Sequence, residues 1–162
     1  IRLWPDPVLS APCAEVGSVT PEIRRLAADM LETMYAAPGR GLAAPQVGFG
    51  LRLFVMDVGW KEGAPDPLVC LDPAILWRSE ARAAGGEGCL SIPGVTAEVT
   101  RPAEILLRWR DLGGRVREAR LDGAAARCAQ HEADHLDGVV TFDRLTPEAR
   151  AALETAYAEA RR

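Results

Sequence analysis

Gln130-His131-Glu132-Ala133-Asp134-His135 holds the densest chemistry in the chain. Histidines at i and i+4 lie about one turn apart on one helical face, so both imidazoles can reach a single metal ion while the intervening Glu sits beside it. That is the pattern of metal-assisted hydrolysis, with the carboxylate moving a proton. His131 and His135 are the only two histidines in the chain. A His-Glu-x-x-His arises by chance in on the order of a few per thousand chains of this length, so a metal site is the stronger reading. Such a site wants a third protein ligand and leaves a position for water. Without a third His the candidates are Cys89, Cys128, Asp143 and Glu148, and periodicity does not choose among them. Cys128 lies three residues before His131, but its short side chain sits a turn back, which favours core packing.

The element that must carry these residues is a helix from Gly123 to about Leu136, with Asp122 as its cap and Gly138 ending it in the left-handed conformation. An earlier helix starts at Thr20-Pro21-Glu22, where Thr20 caps and Pro21 takes the first position. Its apolar residues Ile23, Leu26, Ala27, Met30, Leu31 and Met34 recur at three and four, so it runs to about Tyr35 with one face buried. Pro38-Gly39-Arg40-Gly41 breaks it. A third helix repeats the start signal at Thr146-Pro147-Glu148. Between them, Leu51 to Val58, Leu68 to Leu71, Ala74 to Arg78, Ile92 to Thr100 and Glu104 to Arg110 read as strands, and Asp111 to Gly114 as a hairpin turn into Arg115 to Leu121. Asp66-Pro67 and Asp72-Pro73 bracket the second of these. Helices and mostly antiparallel strands without strict alternation predict an α+β fold: antiparallel sheets around a central metal-binding helix, with an N-terminal and a C-terminal helix.

The 162 residues fit one domain, 1–162, large enough to need no disulfide. Charged residues are 26% and hydrophobic ones 48%, and no apolar run approaches the roughly 18 residues of a membrane span, so a membrane partner is not expected. The formal charge of -4 argues against nucleic acid as the main partner. Cys13, Cys70, Cys89 and Cys128 are scattered with no CxxC pair, which predicts reduced thiols and a cytoplasmic, bacterial location. Ile1 to Leu9 has neither the apolar core of a secretory signal nor the composition of a transit peptide, so any such leader would lie upstream of Ile1.

Three segments, Gly39-Arg40-Gly41-Leu42-Ala43-Ala44-Pro45-Gln46, Glu87-Gly88-Cys89-Leu90-Ser91 and Gln130 to His135, resemble in order and spacing the three motifs of the peptide deformylase family, and the similarity extends over nearly the whole chain. The resemblance implies that Cys89 joins His131 and His135 as metal ligand and that Glu132 handles the proton. It also implies that the Gln46 side-chain amide and the Leu90 backbone N–H donate to the oxyanion, and that Glu87 pairs with a base such as Arg101. The implied cofactor is one divalent ion, Fe(II) first, with Zn(II), Ni(II) or Co(II) able to take its place. The implied substrate is an N-formylated peptide or nascent chain, releasing formate, with the ribosome surface as a further partner. Gly39, Arg40, Gly41, Gly88 and Arg127 are the expected substrate-binding residues, with Gly41 and Gly88 letting the backbone approach the peptide closely.

Three positions depart from the family pattern. Arg40 stands between glycines where an aliphatic residue is usual, Arg127 replaces an aliphatic pocket residue, and Asp72 stands for Asn. If either guanidinium faces the pocket, preference shifts toward an acidic or polar first residue; otherwise both swing to solvent or cover its wall with their methylene stems. A zinc endopeptidase and a binding module that has lost turnover are the competing readings.

Overall fold

The computed structural model describes Ile1 to Arg162. Its elements run α1 (Pro21–Ala36), β1 (Gly41–Ala43), β2 (Leu53–Met56), β3 (Leu68–Arg78), β4 (Arg82–Cys89), β5 (Ile92–Pro102), β6 (Glu104–Arg110), β7 (Val116–Asp122), α2 (Gly123–Leu136) and α3 (Pro147–Ala160). All strand pairs are antiparallel. One sheet has five strands in the order β1-β2-β3-β6-β7, and β4 with β5 forms a second. The fold is α+β, as the mixture of periods predicts. No helix is long and apolar enough to cross a membrane.

Strand β2 explains how the layers stack. All four of its residues are buried, and the period of two divides them between faces. Leu53 and Val55 pack with Met30 and Met34 of α1. Phe54 and Met56 pack with Ala126, Ala129 and Leu136 of α2. The five-stranded sheet is therefore sandwiched near β2, and the small residues of α2 let its axis lie close to the sheet. A separate cluster of Leu9, Ile92, Val140, Phe142 and Tyr157 seats α3 against β5.

The expected caps are present in α1 and α3, where the Thr20 and Thr146 hydroxyls accept from the N–H groups of Ile23 and Ala149. Asp122 occupies the cap position of α2 but its side chain makes no capping bond. Gly138 follows the end of α2 at φ 74°, the left-handed value foreseen for it.

Two differences from the sequence reading matter for the site. Strand β4, RAAGGEGC, lacks the β-branched residues that announce a strand and forms because β5 pairs with it. Strand β3 runs straight through Asp72-Pro73, where a break was expected, with a shift of register between Leu71 and Ala74. Asp72 sits at φ 47°, tolerable for Asp, and its carboxylate holds the bulge. It accepts from the Val16 N–H at 2.7 Å and the Gly17 N–H at 3.2 Å, and pairs with Arg110 at 2.5 Å. Asp72→Ala loses these acceptors and forces Ala into the left-handed region, so denaturant titration should show a loss of about 2 to 3 kcal/mol. Asp72→Asn keeps the conformation and an acceptor for Val16, and should cost about 1 kcal/mol or less.

Candidate metal centre

Two periodicities meet at the site. On β4 the period of two turns Glu87 and Cys89 inward and leaves Gly88 outside. On α2 the spacing of four stacks Arg127, His131 and His135 along one stripe facing that strand. One ligand atom each from Cys89, His131 and His135 lies within 4.8 Å of the others, and Cys89 Sγ is 3.4 Å from His135 Nε2. Cys128, Asp143 and Glu148 are outside this cluster. Asp143 accepts instead from the Val140 N–H and Arg150. Burial and the neighbouring Glu132 push the Cys128 thiol well up, so it stays protonated, as suits a packed side chain. Cys128 is nonetheless not wholly in the core, since it also lines the cleft beside the site.

The donor set suits a divalent ion, with one thiol, two imidazoles and a carboxylate beside them. Only two buried side-chain N or O atoms lack a hydrogen-bond partner, Glu132 Oε2 and His135 Nδ1, and both belong to this group of residues. Glu132 is 4% exposed. Burial and the charges of Glu87 and Asp134 push its pKa up to about 7, against the lowering influence of His131 and Arg101.

A buried ionic chain stands behind the imidazoles. Glu87 Oε1 faces His131 Nδ1 at 3.0 Å, which leaves Nε2 as the atom free for a metal. Arg101 grips Glu87 with two hydrogen bonds, 2.7 and 2.8 Å, as the family resemblance suggested, and Arg127 adds a third at 2.7 Å. Arg101 also reaches Asp134 at 2.9 Å, and Asp134 accepts from Arg144 at 2.9 and 2.5 Å. Although burial raises it, the contacts with Arg101 and His131 bring the Glu87 carboxyl down to about 2.

Gln46 is 1% exposed. The Ala43 N–H donates to its Oε1 at 2.9 Å, which fixes the amide so that Nε2 points toward Ser91 Oγ, 3.1 Å away, and Cys89 Sγ, 3.6 Å away. Ser91, given no role from sequence, thus holds the amide in place. Leu90 occupies the turn between β4 and β5, with its side chain against Gly39. A Cβ on Gly88 would meet no protein atom within 4 Å, so that position opens into the cleft. Gly41 has a packing reason that the sequence does not show. A Cβ there would come within 2.5 Å of Glu132 Oε1 and 2.8 Å of Cys128 Sγ, so the glycine makes room for the helix at the wall of the cleft.

Gln46, Cys89, His131 and Glu132 line a cleft of about 490 Å³, together with Gly39, Arg40 and Arg127. Neither guanidinium is turned to it as a free charge. Arg127 donates to Glu87, the Val99 carbonyl and the Ala83 carbonyl, and Gly85 makes space for it. Arg40 donates to Glu62 and to the Val58 carbonyl. Local sequence could not reveal either partner, since Glu62 and Glu87 lie far along the chain.

The polypeptide deformylase family profile matches residues 1–151. Peptide deformylase from Afipia carboxidovorans is 50% identical over 142 residues, covering 88% of this chain and 83% of that protein. The one from Synechococcus sp. strain CC9605 is 48% identical over 143 residues, 88% and 71% respectively. Among solved structures, a Synechococcus elongatus peptide deformylase in complex with actinonin superposes with a TM-score of 0.92 at 39% identity, over 99% of this chain and 86% of that one. A Legionella pneumophila peptide deformylase gives 0.93 at 33% identity, over 99% and 94%.

Glu87→Gln keeps the shape of the side chain but leaves Arg127 without an anion and Arg101 with Asp134 alone. It should weaken metal binding by about 10- to 100-fold in a chelator competition, because His131 loses its charged acceptor, and destabilise the fold by about 3 kcal/mol or more.

Proposed function

This chain belongs to the polypeptide deformylase family, and on that premise we propose that it removes the N-formyl group from nascent peptides, with Cys89, His131 and His135 holding one divalent ion. The observation that carries the reading is the convergence of those three ligand atoms within 4.8 Å, beside a buried carboxylate.

Each residue then has a task. When bound, the ion supplies Lewis acidity, lowering the pKa of water and polarising the formyl carbonyl. Glu132 accepts the proton of the attacking water and returns it to the leaving amine nitrogen, so the C–N bond breaks to give formate and a free α-amine. As oxygen charge develops on the formyl group, Gln46 Nε2 and the Leu90 N–H donate to it, each worth roughly 3 to 4 kcal/mol. The Ala43 N–H holds Gln46 in that orientation beforehand. Gly39, Gly41 and Gly88, with the stems of Arg40 and Arg127, wall the space for the first side chain. With both guanidiniums engaged, an apolar methionine side chain suits that wall better than an acidic one.

Fe(II) is the metal we assign, with Zn(II), Ni(II) or Co(II) as substitutes, on the grounds that one thiolate with two imidazoles suits all of them. The four unpaired cysteines fit a reducing cytoplasm. Ribosome contact through α3 would bring the enzyme to its nascent substrate.

Formate release from formyl-Met-Ala, with the enzyme loaded anaerobically with Fe(II) or Ni(II), tests the activity. Glu132→Ala should lose at least about 100-fold in kcat while retaining metal. Cys89→Ala should lose the metal itself, read by atomic absorption. An endopeptidase using the same helix with another third ligand would keep it. A protein that releases no formate from any formyl peptide, and binds the same peptides unchanged after Glu132→Ala, would instead be a binding module.

A further inference from the structure

The deformylase reading accounts for the inner end of the cleft and leaves its mouth without a role. Lys61 lines that same cleft and is the only lysine in the chain. Its neighbours fix its place. On one side, Trp60 donates its indole N–H to the Gly39 carbonyl at 2.8 Å and packs edge-on against Tyr35, ring centroids 5.3 Å apart. On the other, Glu62 receives both terminal nitrogens of Arg40 at 2.9 and 2.6 Å. The Gly59 carbonyl closes the turn between them, accepting from the N–H groups of Glu62 and Ala64 at 3.1 Å. Residues 60 and 62 are thus both tied to the Gly39-Arg40 wall, and residue 61 is carried at its rim.

The charges around it leave Lys61 distinct. Arg40 is answered by Glu62, and Arg127 by Glu87. Lys61 forms no salt bridge: its Nζ sits over the Trp60 ring, 5.7 Å from the centroid, and the one carboxylate that feels its charge, Glu62, is already held by Arg40. An extended peptide advances about 3.3 Å per residue, so a chain whose formyl end lies among Cys89, His131 and His135 passes outward with its later residues toward the rim.

We propose that Lys61 is a specificity-determining residue, its ammonium attracting an acidic side chain or terminal carboxylate downstream of the peptide's first residue, and that Arg40 is a positioning residue for the strap that carries it. The proposal rests on the deformylase reading and adds a charge preference to it. A solvated ion pair at a cleft mouth is modest in strength and falls with salt, and it acts chiefly on capture.

The test compares kcat/KM of the metal-loaded enzyme on three peptide amides, formyl-Met-Ala-Asp, formyl-Met-Ala-Asn and formyl-Met-Ala-Lys. The Asp peptide should exceed the Asn peptide by about two- to fivefold and the Lys peptide should fall below it. The difference should reside in KM and shrink as salt is raised toward about 0.5 M. Lys61→Ala should bring the Asp to Asn ratio close to one, Lys61→Glu should invert the order, and Arg40→Leu should reduce the ratio with Lys61 still present. Equal rates on all three peptides in the unaltered enzyme, or a preference that survives Lys61→Ala, overturns the proposal. If formate is released from none of them, the deformylase reading fails by itself. Equilibrium binding of the same peptides then decides the charge preference, an Asp preference lost in Lys61→Ala supporting it and its absence overturning it.

Discussion

The Glu87 carboxylate is the fixed point of this structure. It faces His131 Nδ1, is gripped by Arg101 and Arg127, and sits on β4 two residues before Cys89. A single short strand therefore delivers both a thiol and the anion that orients an imidazole from another element. Because the strand alternates and the helix repeats at four, the relative placement of β4 and α2 alone brings the ligand atoms together. Any slip of that register by one residue would turn Glu87 and Cys89 away from the helix.

Burying such a group is costly unless every charge is answered. The chain of Glu87, Arg101, Asp134 and Arg144 runs from beneath His131 to the surface, where Arg144 is partly solvated, so no member is left without a counter-charge. The same enclosure acts oppositely on Glu132, whose Oε2 has no protein partner and whose pKa is driven up toward neutrality. Two carboxylates within one helix-strand interface are thus held at opposite ends of their range, one as a permanent anion and one able to exchange a proton. Gly41 belongs to this arrangement, because only a residue without Cβ lets β1 approach Glu132 so closely.

Much of this arrangement is legible in the sequence. The two-histidine helix, its left-handed stop at Gly138, the capped starts at Thr20 and Thr146, and the hairpin at Asp111 to Gly114 all follow from local chemistry. The third member of the metal cluster did not follow from periodicity, since Cys89 lies in a strand whose Gly and Ala content hides it; the family resemblance singled it out. Asp72-Pro73 carries the local signal of a break, and the strand continues through it because Val16, Gly17 and Arg110, distant in sequence, stabilise a bulge there. The arginines were ambiguous for the same reason. Whether a guanidinium is free depends on a partner that local pattern cannot place.

The division of labour between basic residue types follows from the same physics. Arginine offers a planar fork that can satisfy two acceptors at once and is weakly hydrated, so it serves where a cation must be enclosed, as Arg101 and Arg127 do around Glu87. Lysine is a strongly hydrated point charge on a flexible stem, poorly suited to that interior and well suited to a solvated rim. Within this chain's Lys and Arg total of 19, the only Lys is Lys61, held beside an opening whose arginines are already occupied. Arg40 links the two regimes: its guanidinium, departing from the family's aliphatic residue, is spent on Glu62 and the Val58 carbonyl, and so stiffens the segment that presents the ammonium. The substitution that first suggested an altered first-residue pocket thereby bears on the part of the peptide lying beyond it.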